Sequence, residues 1–238
     1  NVFRENANPF GMFFDFLKDL FSGNGMQQGG LIGSIMAFFG LNGETPNMAA
    51  QENESQVRTA DIKVNGNPVG NLLSLIREHE AGGSYDAVYN SQDIIVDGRA
   101  VAPTEATVGH VLAAQEKWLA NGSNSTAVGG YQFINSTLRG LVEEMNIPLN
   151  ARFDEALQDR LAMQLLERRG LSDFERGKIS RADFMENISA EWAALPKDMS
   201  GAGTYDGDKN GNQALVEPEQ VVAALDRIKE DGSTNTIT

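Results

Sequence analysis

The sequence predicts an α+β fold, in which a mostly helical domain and a small β lobe border a cleft, with an apolar appendage at the N-terminus. Three observations support this prediction. Apolar residues recur at helical spacing in several separate segments after residue 70. A turn-rich region, residues 86–98, has only short stretches of strand character. Residues 1–58 differ in composition from everything after them, which indicates a separate region of the protein.

The N-terminal region combines two apolar runs with a polar linker. Residues 10–21 and 31–41 are rich in phenylalanine and methionine, but each run is too short to cross a bilayer as a single helix. No basic region precedes the first run, so it does not match a secretory signal. Residues 44–58 are polar and are predicted to be a linker. We expect residues 1–43 to contact a partner protein or the main domain, or alternatively a membrane surface.

Residues 59–238 are predicted to form one domain that begins with short elements. An extended piece at 60–64 is followed by a turn. An apolar run with helical spacing then predicts a helix over 71–80. The stretches 86–89 and 93–98 are predicted to form a small hairpin or lobe.

Helices dominate the rest of the domain, and most have a local signal at one end. Ser180 and Asp183 match a capping box, while Gly170 and Pro196 are placed to end helices. The predicted helices run from Thr107 to Trp118, over residues 135–145 and 153–169, from Ser180 to Trp192, and from Pro218 through Ile228.

Composition excludes several classes of function. The formal net charge of -14 and the pI near 4.5 argue against a nucleic-acid partner, because phosphates require a basic surface. The chain has no cysteine, which excludes disulfides, thiolate catalysis and cysteine-ligated zinc. Its histidines, His79 and His110, are not in an HExxH arrangement, and no G-x-S-x-G elbow is present. Catalysis by carboxylic acid side chains is the main possibility that remains.

Glu80 is the strongest candidate for catalysis. It lies at the predicted end of an apolar helix, directly before the turn-forming stretch 81–86. A carboxylic acid at the last turn of a buried helix is partly desolvated and faces the negative end of the helix dipole. Both effects raise its pKa toward the range in which it can protonate a leaving group.

Three separated segments together carry a family resemblance. They are residues 80–88 (EAGGSYDAV), 125–138 (STAVGGYQFINSTL) and 191–196 (EWAALP). In this order, with helices between them, they resemble the lambda-type phage endolysins, which are lysozyme-like lytic transglycosylases. The resemblance extends over about residues 71–228. It implies a lysozyme-like fold, peptidoglycan glycan strands as the substrate, and no required cofactor.

The resemblance also implies roles for individual residues. The family's single catalytic glutamate falls on Glu80. It would protonate the oxygen of the MurNAc–GlcNAc bond and then take the proton of the muramic C6 hydroxyl, which closes a 1,6-anhydro ring. The family's Gly-Arg-Tyr-Gln motif falls on Gly129, Gly130, Tyr131 and Gln132. Because Gly130 stands where the family usually has arginine, a charge contact there is missing or is supplied from elsewhere.

Sugar binding is also consistent with the residue types. Tyr85, Tyr131 and Tyr205 can lie against the apolar faces of amino sugars, and Gln132 can hydrogen-bond to acetamido groups. Asp86 either faces the substrate or orients a turn. If Asp86 holds an attacking water, the enzyme would instead be a hydrolytic muramidase.

A further motif near the C-terminus matches the calcium-loop pattern D-x-[DN]-x-[DN]-G-x5-E. Against a calcium site, residues 197–204 predict turns rather than an entering helix, and Gln213 stands where an apolar residue is usual. A structural calcium ion and a structural or substrate-side loop are both open interpretations. The ligands would be Asp206, Asp208, Asn210, Asn212 and Glu217.

The function predicted from these features is cleavage of peptidoglycan by a lytic transglycosylase. The alternatives are a hydrolytic muramidase and a non-catalytic glycan-binding or structural virion protein. The N-terminal appendage favours a virion-associated or membrane-proximal enzyme. We expect the protein to be located in the phage virion or in the bacterial periplasm and cell wall.

Overall fold

A computed structural model of the chain describes residues 68–207 and 212–234. The N-terminal residues 1–58 and the extended piece at 60–64 lie outside these ranges, so what was expected of them stays a prediction. No helix within the two described ranges is long and apolar enough to span a bilayer.

The described residues fold into helices and one small antiparallel sheet. This mixed architecture agrees with the predicted α+β class. The helices are α1 (Pro68–Ala81), α2 (Val108–Ala120), α3 (Asn135–Glu144), α4 (Glu155–Arg168), α5 (Leu171–Glu175), α6 (Arg181–Ser189) and α7 (Pro218–Thr234), and the strands are β1 (Ile94–Val96) and β2 (Arg99–Val101).

The sheet is a two-stranded hairpin, but its second strand differs from the prediction. Ile94 pairs with Val101 and Val96 with Arg99. The turn between them is Asp97–Gly98, and both residues have positive φ (50° and 76°), as a tight two-residue hairpin turn requires. The expected partner, 86–89, lies elsewhere. Its carboxyl end pairs instead with the loop around residue 128, where Val88 forms an isolated bridge to Val128.

Helix boundaries follow local capping chemistry more closely than apolar spacing. Thr107 caps α2, and the His110 side chain completes the capping box. Ser180 and Asp183 form the predicted box at α6. The helices differ from the prediction in two places. Regular helix in α6 ends at Ser189, before Trp192, and α5 was not predicted at all. Gly170, at φ +100°, ends α4 and starts α5 without a loop.

Helices α1 through α7 all contribute buried apolar side chains to the core. α1 contributes Leu72, Leu73 and Ile76, none of which is exposed. Burial of each such side chain stabilises the fold by roughly 1.5–3 kcal/mol. Phe174 and Phe184 stack at 4.8 Å between α5 and α6. α1 packs along α7. The C-terminal end of α1 is therefore held on a buried scaffold, which matters because Glu80 lies there.

Candidate active site

Glu80 is the second-to-last residue of α1, where its carboxyl group is half-buried. Its Oε1 accepts a hydrogen bond from the backbone N–H of Ala194 at 3.0 Å. Burial raises the pKa of Glu80 above its ordinary value, against the opposing effects of the Ala194 N–H and of nearby His79. The Nδ1 of His79 lies 3.0 Å from the carbonyl oxygen of Leu75 on the same helix. Glu80 therefore has the environment of a proton donor.

The peptide that contacts Glu80 is itself held from the opposite side. The carbonyl oxygen of Ala194 accepts hydrogen bonds from the N–H groups of Leu215 and Val216, at 2.8 and 3.1 Å. Trp192, two residues earlier, is only 2% exposed and packs in the core. The Ala194 amide thus has a fixed direction toward Glu80, because the segment before α7 anchors it.

The loop 126–135 carries most of the residues predicted to bind substrate. Backbone hydrogen bonds in both directions between Val128 and Phe133 close its central part. The buried side chain of Gln115 donates to the carbonyl oxygens of both Thr126 and Phe133, at 2.8 Å each. Gln132 lies half-exposed in the bend, at φ +49°, and its side-chain N–H donates to the carbonyl of Gly129 at 2.8 Å. A positive φ at a non-glycine residue is uncommon, and here the loop's own hydrogen bonds hold it.

A second buried glutamine, Gln158 of α4, joins this loop to the segment after Glu80. Its Oε1 accepts from the N–H of Gly130 at 2.8 Å. Its Nε2 donates to the carbonyl oxygens of Phe153 and Tyr85, at 3.0 and 3.2 Å. Gly129, at φ +79°, lies so close to Gln158 that a β-carbon at position 129 would clash with it.

Two of the three tyrosines predicted to contact sugar, Tyr85 and Tyr131, belong to a polar cluster with Asp159. The hydroxyls of Tyr85 and Tyr131 each donate to Oδ1 of Asp159, the former at 2.8 Å. Burial, followed by these hydrogen bonds to the Asp159 carboxylate, raises the pKa of Tyr85 to about 12 and raises that of Tyr131 further. Both phenols therefore stay protonated donors. Tyr131 is only 2% exposed, so its ring face is closed to a sugar in this structure, which corrects the stacking role predicted for it.

Arg77 completes the cluster and fills the space beside Gly130. Its Nη1 donates to the hydroxyls of Tyr85 and Tyr131, at 2.7 and 3.3 Å. Its aliphatic stem lies against Gly130, where a β-carbon would be 2.8 Å from Cδ of Arg77. A guanidinium is thus supplied at this place from α1 instead of from position 130. Sequence reasoning missed Arg77, Gln158 and Asp159. The available signals were the position of Arg77 one turn before Glu80 and the helical spacing that places Gln158 next to the apolar residues of α4.

A cavity of about 110 Å³ opens beside the 126–135 loop. Glu191 lines this cavity and forms a salt bridge of 2.7 Å with Arg169, the residue that follows α4. Tyr205 is 37% exposed and donates to the carbonyl of Ala190 at 2.7 Å, which places it next to the residue that precedes Glu191. The cavity is lined by Tyr131, Gln132, Phe133, Ile134, Thr137, Leu165, Glu191 and Trp192.

Asp86 is exposed and is used in a turn. Its Oδ1 accepts the backbone N–H of Thr104 at 2.9 Å, and its own N–H donates to the hydroxyl of Ser84. This contact ties the segment after Glu80 to the short turn Pro103–Glu105. The structure thus gives Asp86 the turn-orienting role that the sequence left open beside a substrate-facing one.

The calcium-loop motif is only partly described. The carboxylate of Asp206 accepts hydrogen bonds from the N–H groups of Gly203 and Ala214, at 2.7 and 3.0 Å. Glu217 is exposed directly before α7. Asp208 and Asn210 lie outside the described residues. Within 68–207 and 212–234, no group of three or more His, Asp or Glu side chains is arranged to hold a metal ion. The calcium site stays a prediction.

Comparisons with known proteins identify the family. No curated protein and no solved structure matched the chain. The sequence profile of one protein family, described as Endolysin, matches residues 71–236, from the first turn of α1 to the end of α7. This span includes Glu80, the 126–135 loop and the Glu191–Pro196 segment, and it extends over well more than half of the chain. The chain therefore belongs to the endolysin family, the phage enzymes that degrade bacterial peptidoglycan.

Proposed function

We propose that this endolysin is a lysozyme-like lytic transglycosylase that cleaves the MurNAc–GlcNAc β-1,4 bond with Glu80 as its one acid and base. The observation that carries the proposal is the environment of Glu80. Its carboxyl group is half-buried at the end of α1 and contacts the Ala194 N–H at 3.0 Å. Its pKa is raised by desolvation, so the group stays protonated to higher pH than an exposed glutamate. A carboxyl group of this kind can donate a proton to a leaving oxygen.

The reaction balances without water or a second carboxylate. Glu80 donates its proton to the glycosidic oxygen as the bond between that oxygen and C1 of MurNAc breaks. The GlcNAc residue leaves with a free 4-hydroxyl. The C6 hydroxyl of the same MurNAc then bonds to C1, and the Glu80 carboxylate takes its proton. The product ends in a 1,6-anhydro ring, and Glu80 is returned to its protonated form. The Ala194 N–H stabilises the carboxylate between the two transfers.

The cavity beside the 126–135 loop is suited to bind an acetamido group of the substrate. Its walls combine apolar side chains with the amide of Gln132, which matches the methyl and amide groups of an N-acetyl substituent. Tyr205, next to the Glu191 end of this region, has an exposed ring that can lie against a sugar face. We therefore assign substrate contacts to Gln132 and Tyr205, while Tyr85 and Tyr131 support the loop from within.

The product of digestion tests the mechanism directly. Purified sacculi digested with the enzyme should release muropeptides one water lighter than hydrolysed ones, as measured by mass spectrometry. Products of full mass would indicate the hydrolytic muramidase, with Asp86 as the candidate for holding the water. Glu80→Gln should release muropeptides at least about 100-fold more slowly than wild type, and Glu143→Gln, the same change at an exposed glutamate of α3, should behave as wild type. Activity of Glu80→Gln close to that of wild type would refute the catalytic assignment. A wild-type protein that binds sacculi without releasing products would favour a glycan-binding or structural virion role.

We further propose that the enzyme acts at the bacterial cell wall, from the virion or from the periplasm. Residues 1–43 would contact a virion protein or a membrane surface. A variant that lacks residues 1–51 should therefore cleave purified sacculi at the wild-type rate. A large loss of that activity would show that the appendage belongs to the catalytic unit.

A further inference from the structure

Arg77 connects three segments of the candidate active site, although the reaction proposed above gives it no chemical role. It lies on α1 one helical turn before Glu80. Its side chain is only 16% exposed. Such burial of a long cationic side chain calls for partners, and those of Arg77 come from three different segments of the chain.

The first segment is the turn that directly follows Glu80. The backbone carbonyl of Arg77 accepts the N–H of Gly83 at 3.1 Å, and its Nε donates to the carbonyl of Gly83 at 3.2 Å. One residue therefore binds Gly83 through both its backbone and its side chain. Glu80 lies inside the turn that these two hydrogen bonds close.

The second and third segments are the 126–135 loop and α4. The Nη1 of Arg77 donates to the hydroxyls of Tyr85 and Tyr131, and both phenols donate to Asp159 of α4. Nη1 also lies 3.9 Å from Oδ1 of Asp159, and the guanidinium carbon lies 4.3 Å from the centre of the Tyr85 ring. A planar guanidinium can donate to Gly83 and to the phenols while it stacks on a ring, whereas a lysine ammonium cannot.

Gly130 makes room for this arrangement. A β-carbon at position 130 would lie 2.8 Å from Cδ and 3.0 Å from Cγ of Arg77. The backbone of Gly130 is not in the left-handed region, so alanine is permitted there by backbone conformation. The three nearest atoms to such a β-carbon belong to the stem of Arg77 and to the ring of Tyr85.

We propose that Arg77 is a positioning residue that fixes the Glu80 turn relative to the 126–135 loop and α4. The proposal rests on Glu80 as the catalytic acid, since Arg77 acts only through it. A reacting group must be held within about 0.5 Å of its productive position, and small displacements reduce the rate steeply. Loss of Arg77 should therefore slow the chemical step while the glycan contacts of Gln132 and Tyr205 remain.

Substitutions at Arg77 test the proposal through the division between kcat and KM. Arg77→Met keeps the aliphatic stem and removes the donors, and kcat for muropeptide release should fall about 10- to 100-fold with KM changed less than about threefold. Arg77→Lys should recover little of the loss. Arg181→Met is the matched control, because Arg181 is exposed and, among the residues that the structure describes, its side chain pairs with Asp226 of α7, far from the Glu80 turn in the chain. Its kcat should equal that of the wild type. Thermal melting by circular dichroism gives the folded fraction of each variant.

Gly130→Ala provides an independent test with the charge retained. It should lower kcat about threefold or more, because the Arg77 stem must shift. Gly140→Ala on α3, where the nearest atom outside the helix's own backbone would be 3.9 Å away, should not lower it. Wild-type kcat in folded Arg77→Met, or a loss that appears in KM alone, would overturn the positioning role. Glu80→Gln in the same assay separates the two hypotheses. If it stays active, the proposed function fails. If it is inactive while Arg77→Met is fully active, only the role of Arg77 is wrong.

Discussion

The carboxylate of Glu80 and the backbone N–H of Ala194 form a hydrogen bond of 3.0 Å between residues 114 positions apart in the chain. The contact has two opposing consequences for Glu80. The segment that carries Ala194 helps to bury Glu80, and this loss of contact with water favours the protonated acid. The hydrogen bond from the Ala194 N–H favours the carboxylate instead. A residue that must serve as acid and then as base needs both influences.

Glu80→Gln should remove most of the activity without loss of stability. We expect muropeptide release to fall by roughly 10²- to 10⁴-fold, the usual contribution of general acid–base catalysis. Glutamine keeps an oxygen that can accept the Ala194 N–H.

The raised pKa of Glu80 means that the folded state binds its proton more tightly than the unfolded state does. Ionisation of Glu80 therefore destabilises the fold, increasingly as pH rises from the unfolded pKa toward the folded one. Melting temperatures should show the variant equal to wild type at low pH and equal or higher at neutral pH. A variant that melts well below wild type at neutral pH would contradict this account.

The pH dependence of activity should report the same hydrogen bond. With Glu80 as the acid, kcat/KM should fall as pH rises through its raised pKa. If lactic acid replaces Ala194, the N–H that donates to Glu80 becomes an ester oxygen while the side chain is unchanged. The carboxylate then loses a stabilising donor, so the alkaline decline should move to higher pH. The same replacement at Ala182, an exposed residue in the first turn of α6, is the control for the chemistry of incorporation. A decline that stays in place or moves to lower pH would show that another group controls it.

Local sequence signals predicted the helix that carries Glu80. They did not predict contacts between residues that are far apart in the chain. The end of α1 at Glu80 and the capping box at Ser180 depend on residues within a few positions of one another. The Arg77–Tyr131 contact joins residues 54 positions apart, and periodicity gives no information about such pairs. The second strand, Arg99–Val101, was missed because its stability comes from the preceding Asp-Gly turn rather than from a burial pattern of its own.

Gln158→Leu should destabilise the fold strongly. Gln158 is fully buried and satisfies the Gly130 N–H and the carbonyls of Tyr85 and Phe153. Leucine has a similar volume but leaves these backbone groups without a partner, at about 1–3 kcal/mol for each buried group. We expect the free energy of unfolding to fall by roughly 3 kcal/mol or more in urea denaturation. Gln164→Leu on the same helix is the control, because the Gln164 side chain bonds to exposed Glu144 within the described part of the chain, and the substitution should change stability by less than about 0.5 kcal/mol. Equal effects of the two substitutions would show that Gln158 has no special structural role.

The Asp206 carboxylate should stabilise its loop whether or not calcium binds. It accepts the N–H groups of Gly203 and Ala214, so Asp206→Ala should lower the free energy of unfolding by about 1–3 kcal/mol both with and without a chelator. Asp198→Ala is the control, because in the described residues its carboxylate bonds to exposed Ser200, two positions along the chain, and does not join distant segments. A destabilisation by Asp206→Ala that disappears in chelator would show that Asp206 acts as a metal ligand.

Tyr205 offers a test of the sugar-facing surface that does not involve Glu80. Its ring is 37% exposed, while its hydroxyl is bound to the carbonyl of Ala190. Loss of an aromatic face worth about 1 kcal/mol corresponds to a roughly fivefold weaker interaction, so Tyr205→Ala should raise KM about fivefold with kcat little changed. Tyr205→Phe keeps the ring and removes only the hydroxyl, so it should retain a KM within about twofold of wild type. If Tyr205→Phe raises KM as much as Tyr205→Ala, the contribution of Tyr205 comes from its bond to Ala190 and not from contact with a sugar ring.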